Sequence, residues 1–152
     1  MNNSKGLLLY QDEPTYGFFL KTIISIVPVA SLVGSIFLFS SGEGTDGSTL
    51  LAEAFVVGLI FWFVFPRKYQ VYENYLCIVL GGHFSIKVRF DNVKSIDATS
   101  RPILSVNFVT RLTKNYVSIN KKKGLSIAIT PRDSNLFVKN ANEALRIYLN
   151  GI

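Results

Sequence analysis

Few side chains in this 152-residue sequence could act as catalysts, and they are scattered. His83 is the only histidine, and it directly follows Gly81 and Gly82. No serine elbow, paired-acid motif or metal-ligand spacing accompanies it, so nucleophile, base and stabiliser are not supplied together. A Walker-type phosphate loop would need Lys and Ser or Thr after the glycines and then a helix, whereas a strand pattern follows. The sequence therefore predicts no enzyme and places His83 in an exposed turn.

Metal and cofactor sites are not expected either. One cysteine and one histidine cannot complete a structural zinc site within a single chain. Cys77 lies in the apolar run YLCIVL, which is typical of a buried small side chain in a reducing compartment. The acids of the second half, Asp91, Asp97 and Asp133, fall in different predicted turns.

Basic side chains are the strongest electrostatic feature. Residues 67–152 contain 14 Lys or Arg and five Asp or Glu, a net charge of +9 that exceeds the +6 of the whole chain. The candidate contacts for anionic lipid or an acidic partner are Lys87, Arg89, Lys121, Lys122 and Lys123. The alternative is a solvated strand face and a hairpin tip that blunts a sheet edge. Nucleic acid is not expected, because no nucleic-acid-binding motif accompanies the charge.

The elements that position these side chains come after two apolar runs near the start of the chain. Residues 22–41 carry no charge, and a helix of that length covers a hydrocarbon core of about 30 Å. Residues 48–65 form the second run, with Trp62 as an interfacial marker. The loop 42–47 is acidic. The pattern predicts a transmembrane hairpin, while a signal peptide would require a shorter apolar region and a small-x-small cleavage site.

The flanking charges predict the orientation of this hairpin. Lys21 precedes the first run, and Arg67 and Lys68 follow the second, whereas the loop between them has no base. Because basic flanks stay on the cytoplasmic side, we expect a multi-pass protein of the cell membrane with both termini in the cytoplasm. The expected domains are an N-terminal cytoplasmic segment (1–21), the hairpin (22–65) and a cytoplasmic domain (66–152).

Small residues recur four positions apart in both runs. Ala30 and Gly34 in the first run and Ala54 and Gly58 in the second would meet at similar depth in an antiparallel hairpin. Such a seam allows close contact between helix backbones. The alternative is that these residues only reflect the usual abundance of Ala and Gly in membrane helices.

Glu53 is the one acid inside a predicted span. An intramembrane carboxyl group is costly and is a functional candidate by default, here neutral or bonded to Ser31 or Ser35 of the other helix. The alternative is that the helix tilts or shifts until Glu53 reaches head groups or water.

After Pro66 the pattern changes to short strands rich in Val, Ile, Tyr and Phe. Strands are predicted over residues 67–73, 74–82, 84–92, 93–98, 103–110, 116–120 and 125–130, paired as an antiparallel meander. A helix capped by Asp133 follows and ends near Asn150 and Gly151. Leu7 to Tyr10 form either an extra strand or a segment on the membrane surface.

The segment YENYLCIVLGGHFSIKVRFDNVKSI resembles the core of the bacterial pleckstrin-homology-like (PH-like) domain family, in members anchored by a membrane hairpin. GLSIAITP before the last helix and LLLYQDEPTYGF before the hairpin are similar too. The resemblance implies an α+β membrane protein: a two-helix hairpin, then a PH-like antiparallel barrel or sandwich capped by one C-terminal helix. The family has no common catalytic residues.

Lys87-Val-Arg89 resembles part of the pattern with which eukaryotic relatives hold phosphoinositides. The upstream base of that pattern is absent, and His83 is nearby instead. The expected function is therefore a non-enzymatic module for protein–protein interaction or self-assembly at the inner membrane. The alternative is a sensor that binds anionic lipid through its basic face.

Overall fold

The computed structural model describes residues 6–99, 105–111 and 115–151. Over these residues the chain forms three α-helices, eight strands and one 3-10 turn, an α+β architecture. The helices are α1 (Phe18–Ser40), α2 (Gly44–Val64) and α3 (Ser134–Asn150). The strands are β1 (Leu8–Asp12), β2 (Lys68–Tyr72), β3 (Tyr75–Val79), β4 (Ser85–Arg89), β5 (Val93–Thr99), β6 (Ser105–Phe108), β7 (Tyr116–Lys121) and β8 (Ser126–Ile129), and the 3-10 turn is Phe90–Asn92.

Helices α1 and α2 pack on each other and are long and apolar enough to span a membrane. Only 6% of the apolar window of each is buried within the protein. Helix α2 begins at Gly44, so the acidic loop is shorter than the predicted 42–47 and Asp46 lies in the first helical turn. A carboxylate there interacts favourably with the amide end of the helix dipole, which explains the earlier start.

The strands form two four-stranded sheets within the described residues. Sheet I has the order β1-β2-β3-β4 and is antiparallel throughout. Sheet II has the order β5-β7-β8-β6, and its β6 runs parallel to β8, from Ser105 beside Ser126 to Phe108 beside Ile129. The prediction of antiparallel pairing throughout was wrong here, because β6 joins the far edge of the sheet instead of pairing with the next strand in sequence. The start of the predicted strand at residues 103–104 lies outside the described residues.

The helical hairpin is an insertion between two paired strands. Strand β1 lies before α1 and pairs antiparallel with β2, which follows α2: Asp12 is opposite Tyr69, and Leu8 is opposite Tyr72. Of the two alternatives for Leu7 to Tyr10, the structure has the strand. The β-domain therefore includes residues from both sides of the hairpin, and the predicted boundary at residue 66 omitted β1.

One core joins both sheets to α3. Helix α3 buries Phe137, Ala141, Ala144 and Leu145 and contacts strands of both sheets. The spacing of these residues puts them on one face of a helix. The predicted N-cap is confirmed, since the Asp133 carboxylate accepts a hydrogen bond from the Leu136 amide at 2.9 Å. The sheets contribute fully buried side chains from five strands: Tyr69, Val71, Leu76, Ile78, Val93, Ile96, Val117, Ile119 and Ile129.

The register gives the β-domain two ends, which we call proximal and distal relative to the hairpin. At the proximal end the Arg67 amide, directly after α2, donates to the Val79 carbonyl at 2.7 Å. Sheet II reaches the same end, where the Gly17 amide at the start of α1 donates to the Thr110 carbonyl at 2.9 Å. At the distal end Tyr75 pairs with Arg89, and the Lys122 amide donates to the Asn92 carbonyl at 2.8 Å. Four strand residues separate the ends, about 13 Å.

Candidate functional site

The proximal end of the domain is in close contact with the hairpin. Gly81 lies so near the Trp62 carbonyl that an added Cβ would be 1.5 Å from its oxygen. The Arg67 guanidinium stacks over the Trp62 ring, 4.4 Å from its centroid, in a cation–π contact. The Tyr16 hydroxyl donates to the Pro66 carbonyl. Both chain segments that leave the hairpin are thus tied to the domain.

The predicted basic strand is β4, at the edge of sheet I. Arg89 forms an exposed ion pair with Asp91 at 3.0 Å, and the Lys87 ammonium lies 5.4 Å from the centre of the Tyr75 ring. The predicted alternation is confirmed for Val88 and Phe90, which are buried. Phe84, expected on the same face, is exposed to solvent at the proximal end and contacts Phe63 of α2, 5.5 Å between ring centroids.

The lysine tract forms the turn after β7, as predicted. Lys121 ends the strand, Lys122 and Lys123 are exposed, and Gly124 adopts a φ of +85°. The Asn92 side chain fixes this turn, because its amide donates to the Lys123 carbonyl at 3.3 Å and its oxygen accepts from the Lys123 amide at 3.0 Å. The tract and the turn after Arg89 therefore share the distal end, away from the hairpin.

Only part of the predicted small-residue seam lies between the two helices. Gly34 does face α2, where an added Cβ would be 3.0 Å from Leu50, but Ala30 is exposed and a Cβ at Gly58 would meet open space. The close approach is at the hairpin tip instead, where the buried Ser35 hydroxyl donates to the Gly47 carbonyl at 2.9 Å.

Glu53 and Ala54 are neighbours in the middle of α2 and are not fully buried. Ala54 is half-buried, and Glu53 is exposed on the outer surface of the helix. Of the two alternatives for Glu53, a bond to Ser31 or Ser35 is not among the hydrogen bonds of the described residues, and the Ser35 hydroxyl donates to the Gly47 carbonyl. Gly58 instead borders a small cavity of about 190 Å³ that Pro28, Tyr16 and Trp62 also line.

The single histidine and cysteine lie where the sequence placed them. His83 is exposed in the turn between β3 and β4, and Cys77 is buried in β3. Burial raises the pKa of the Cys77 thiol, although the Ser85 hydrogen bond and the Lys87 charge act in the opposite direction. Among the described residues, no three His, Cys, Asp or Glu side chains are placed to hold a metal ion.

A polar cavity of about 730 Å³ at the proximal end was not predicted. It is lined by side chains from four separate segments, including Asp12, Arg111, Tyr116, Arg132, Asp133 and Ser134. The Tyr116 hydroxyl and the Arg111 Nε are buried in its wall without a hydrogen-bond partner among the described residues. Buried polar atoms are nearly always paired. The cavity holds two of the three unpaired buried side-chain atoms among the described residues, and the third is the Asn74 oxygen in the turn between β2 and β3. No local motif joins these residues, and only the Pro131-Arg132-Asp133 cap signal touched the site.

Comparisons with protein-family models, with curated proteins and with solved structures find no match for this chain. What the protein does must therefore be inferred from three features of its own geometry. These are the uncovered apolar hairpin, the edge strands of the β-domain and the polar cavity at the proximal end.

Proposed function

We propose that this protein is an integral membrane protein whose hairpin anchors a non-catalytic, PH-like docking module. The observation that carries the proposal is the uncovered apolar surface of α1 and α2. Phe37 and Phe55, for example, are 70% and 68% exposed, and both helices are long enough for a bilayer. Soluble proteins rarely expose apolar patches of this extent, so lipid is the natural cover.

The insertion of the hairpin between paired strands supports an even number of membrane crossings. Strands β1 and β2 can pair only if α1 leaves and α2 returns on the same side of the bilayer. Lys21, Arg67 and Lys68 flank these ends, and the hairpin tip carries Glu43 and Asp46. By the positive-inside rule, the β-domain faces the cytoplasm of the cell membrane.

The order of the elements supports the PH-like part of the proposal. Two four-stranded sheets are followed by a single terminal helix that packs across both of them. The parallel pairing of β6 with β8 departs from the antiparallel arrangement that the resemblance implied. The β-domain is therefore proposed as a PH-like variant with one rearranged edge strand.

The docking role is supported by strand β1, which is at the edge of sheet I. Leu7, Leu8 and Leu9 expose 66%, 43% and 44% of their surface there. Leu8 pairs with Tyr72, at the distal end of β2, so these leucines lie on the part of the strand farthest from the hairpin. An apolar edge strand is a template for pairing with another chain, and the simplest partner is a second copy related by a two-fold axis.

A cysteine crosslinking experiment in native membranes tests this proposal. Leu8→Cys places a thiol on the edge, while the buried, protonated Cys77 serves as the silent background in the wild type. Glu143→Cys, on the exposed side of α3, is the matched control. With a short bis-maleimide, we expect Leu8→Cys to yield a dimer of twice 17.0 kDa that neither control forms. Equal yields from Leu8→Cys and Glu143→Cys would contradict the docking edge, and loss of the protein from carbonate-washed membranes would contradict the anchor.

The alternative function, sensing of anionic lipid through Lys87, Arg89 and the lysine tract, has weaker support. Arg89 is already paired with Asp91, and the tract lies at the distal end of the domain. In the proposed orientation, the inner leaflet is at the proximal end. The distal bases are thus better placed for an acidic region of a protein partner than for lipid.

A further inference from the structure

Two buried hydrogen-bond donors without acceptors and one exposed guanidinium group belong to side chains that line the proximal cavity. Tyr116 is only 9% exposed, lines the cavity, and has a hydroxyl without a partner among the described residues. The Arg111 Nε is buried and unpartnered in the same wall. Arg132 also lines the cavity, and its side chain is exposed. Unsatisfied buried donors are costly, and a small rotation of these two side chains toward a ligand that supplies acceptor oxygens would remove this cost.

The N-terminus of α3 adds positive potential to the same place. Ser134 and Asn135, its first two residues, line the cavity. The first amides of a helix have no acceptor within the helix and attract anions. Asp133 already caps the Leu136 amide, so the amides of Ser134 and Asn135 remain for a ligand.

Two carboxylates share the wall, and both are occupied by backbone amides. Asp12 accepts from the Glu13 amide at 2.7 Å and from the Asp133 amide at 3.0 Å, and Asp133 accepts from Leu136 at 2.9 Å. No ion pair within 4.0 Å joins Arg111 or Arg132 to either acid among the described residues. These amide bonds hold both carboxylates in place without removing their charge, so the two guanidinium groups and the first amides of α3 must outweigh that charge when an anion binds.

The cavity lies next to the point where the chain enters the hairpin. Thr110, the neighbour of Arg111, accepts from the Gly17 amide through its carbonyl and donates from its hydroxyl to the Thr15 carbonyl at 2.7 Å. Asp12 is six residues before the start of α1. In the proposed membrane orientation, this is the depth of the inner-leaflet head groups.

We propose that this cavity binds a phosphate group through Arg111, Arg132, the Tyr116 hydroxyl and the first amides of α3. Guanidinium groups match phosphate oxygens in geometry and charge. The phosphate belongs either to a lipid head group of the adjacent leaflet or to a soluble phosphate-bearing molecule. The lipid source rests on the proposed membrane insertion, whereas the phosphate site itself does not.

Two charge-matched double variants of the full-length protein test the site. Arg111→Gln with Arg132→Gln removes two positive charges at the cavity, and Lys122→Gln with Lys123→Gln removes two at the distal end. One arm follows the thermal stabilisation of the detergent-solubilised protein by inorganic phosphate. The other counts phosphatidylglycerol molecules retained by native mass spectrometry after release from phosphatidylglycerol nanodiscs. We expect the arginine variant to lose phosphate affinity by about tenfold or more and the lysine variant to match the wild type.

Tyr116→Phe is a second, milder variant that keeps the buried ring. Without ligand we expect it to melt no lower than the wild type, because it removes an unpaired buried hydroxyl. With phosphate or lipid present, we expect it to be stabilised less than the wild type.

The two arms separate the sources. Lipid retention that depends on the arginines assigns a lipid head group, and saturable stabilisation by inorganic phosphate without such retention assigns a soluble ligand. Equal behaviour of the arginine and lysine variants in both arms would overturn the site, since charge alone would then account for binding. A dimer in the crosslinking experiment without phosphate binding would reject this inference and leave the docking proposal intact.

Discussion

Replacement of Gly81 by Ala is predicted to separate the β-domain from the hairpin. The added Cβ would lie 1.5 Å from the Trp62 carbonyl oxygen and 2.6 Å from its carbon, and both are backbone atoms that cannot rotate away. Since carbon and oxygen need at least about 3 Å, α2 and the β3–β4 turn must move apart by about 1.5 Å. Overpacking of this kind costs about 1 to 3 kcal/mol. For a domain of about 100 residues this lowers the melting temperature by about 5 to 20 °C.

Trp62 is the only tryptophan and lies at this contact, so its fluorescence reports the separation directly. We expect Gly81→Ala to lower the melting temperature. We also expect it to shift the Trp62 emission, because the separation removes the Arg67 guanidinium from the Trp62 ring. Gly58→Ala is the matched control, since its Cβ would meet nothing within 4 Å. If both variants have the same melting temperature and the same Trp62 emission as the wild type, the close approach of Gly81 to the hairpin is refuted.

Three further predictions concern the turn, the thiol and the insertion. Asn92→Ala should lower the free energy of unfolding by about 1 to 3 kcal/mol in a denaturant titration, because two hydrogen bonds to Lys123 are lost; an unchanged midpoint would contradict this role. Cys77 should react with iodoacetamide slowly at neutral pH in the folded protein and rapidly in denaturant, because burial raises its thiol pKa. The stability that the protonated Cys77 thiol contributes is present below its unfolded pKa and is lost as the pH rises through the raised folded pKa, which a pH series of melting curves would detect. Replacement of residues 18–65 by a short Gly-Ser linker should give a soluble protein with cooperative melting, since the strands on either side already pair; aggregation at all salt concentrations would count against an independent β-domain.

The parts of the fold that the sequence predicted are those encoded over short distances. Long apolar runs located α1 and α2, alternation located β4, and the Asp133 cap with its periodic apolar residues located α3. The pairing of β1 with β2 crosses the whole hairpin, and the parallel pairing of β6 with β8 skips a strand. Such long-range choices depend on how the complete core packs, so no local pattern specifies them.

The candidate site shows the same division. Consecutive lysines can be recognised in a sequence, and they led to the prediction of contacts that lie at the distal end of the domain. Tyr116, Arg111 and Arg132 come together only after β7, the end of β6 and the start of α3 meet. Their signal is an unpaired buried hydroxyl and guanidinium nitrogen, which requires three-dimensional structure to detect. The seam of Ala30, Gly34, Ala54 and Gly58 depended on which faces of the two helices meet, and four-residue spacing alone does not specify that.

The insertion of the hairpin between β1 and β2 also delays the pairing of these strands during synthesis. Strand β1 leaves the ribosome first, but its partner is complete only at Tyr72, 60 residues after Asp12. At 5 to 20 residues per second, β1 waits about 3 to 12 s while two helices are delivered to the membrane. During that interval its leucines have no native neighbour strand, so β1 is the segment that a chaperone or a neighbouring nascent chain would meet. The β1–β2 pair can then form only after both helices have been inserted and the chain has come back to the side of the membrane where β1 lies.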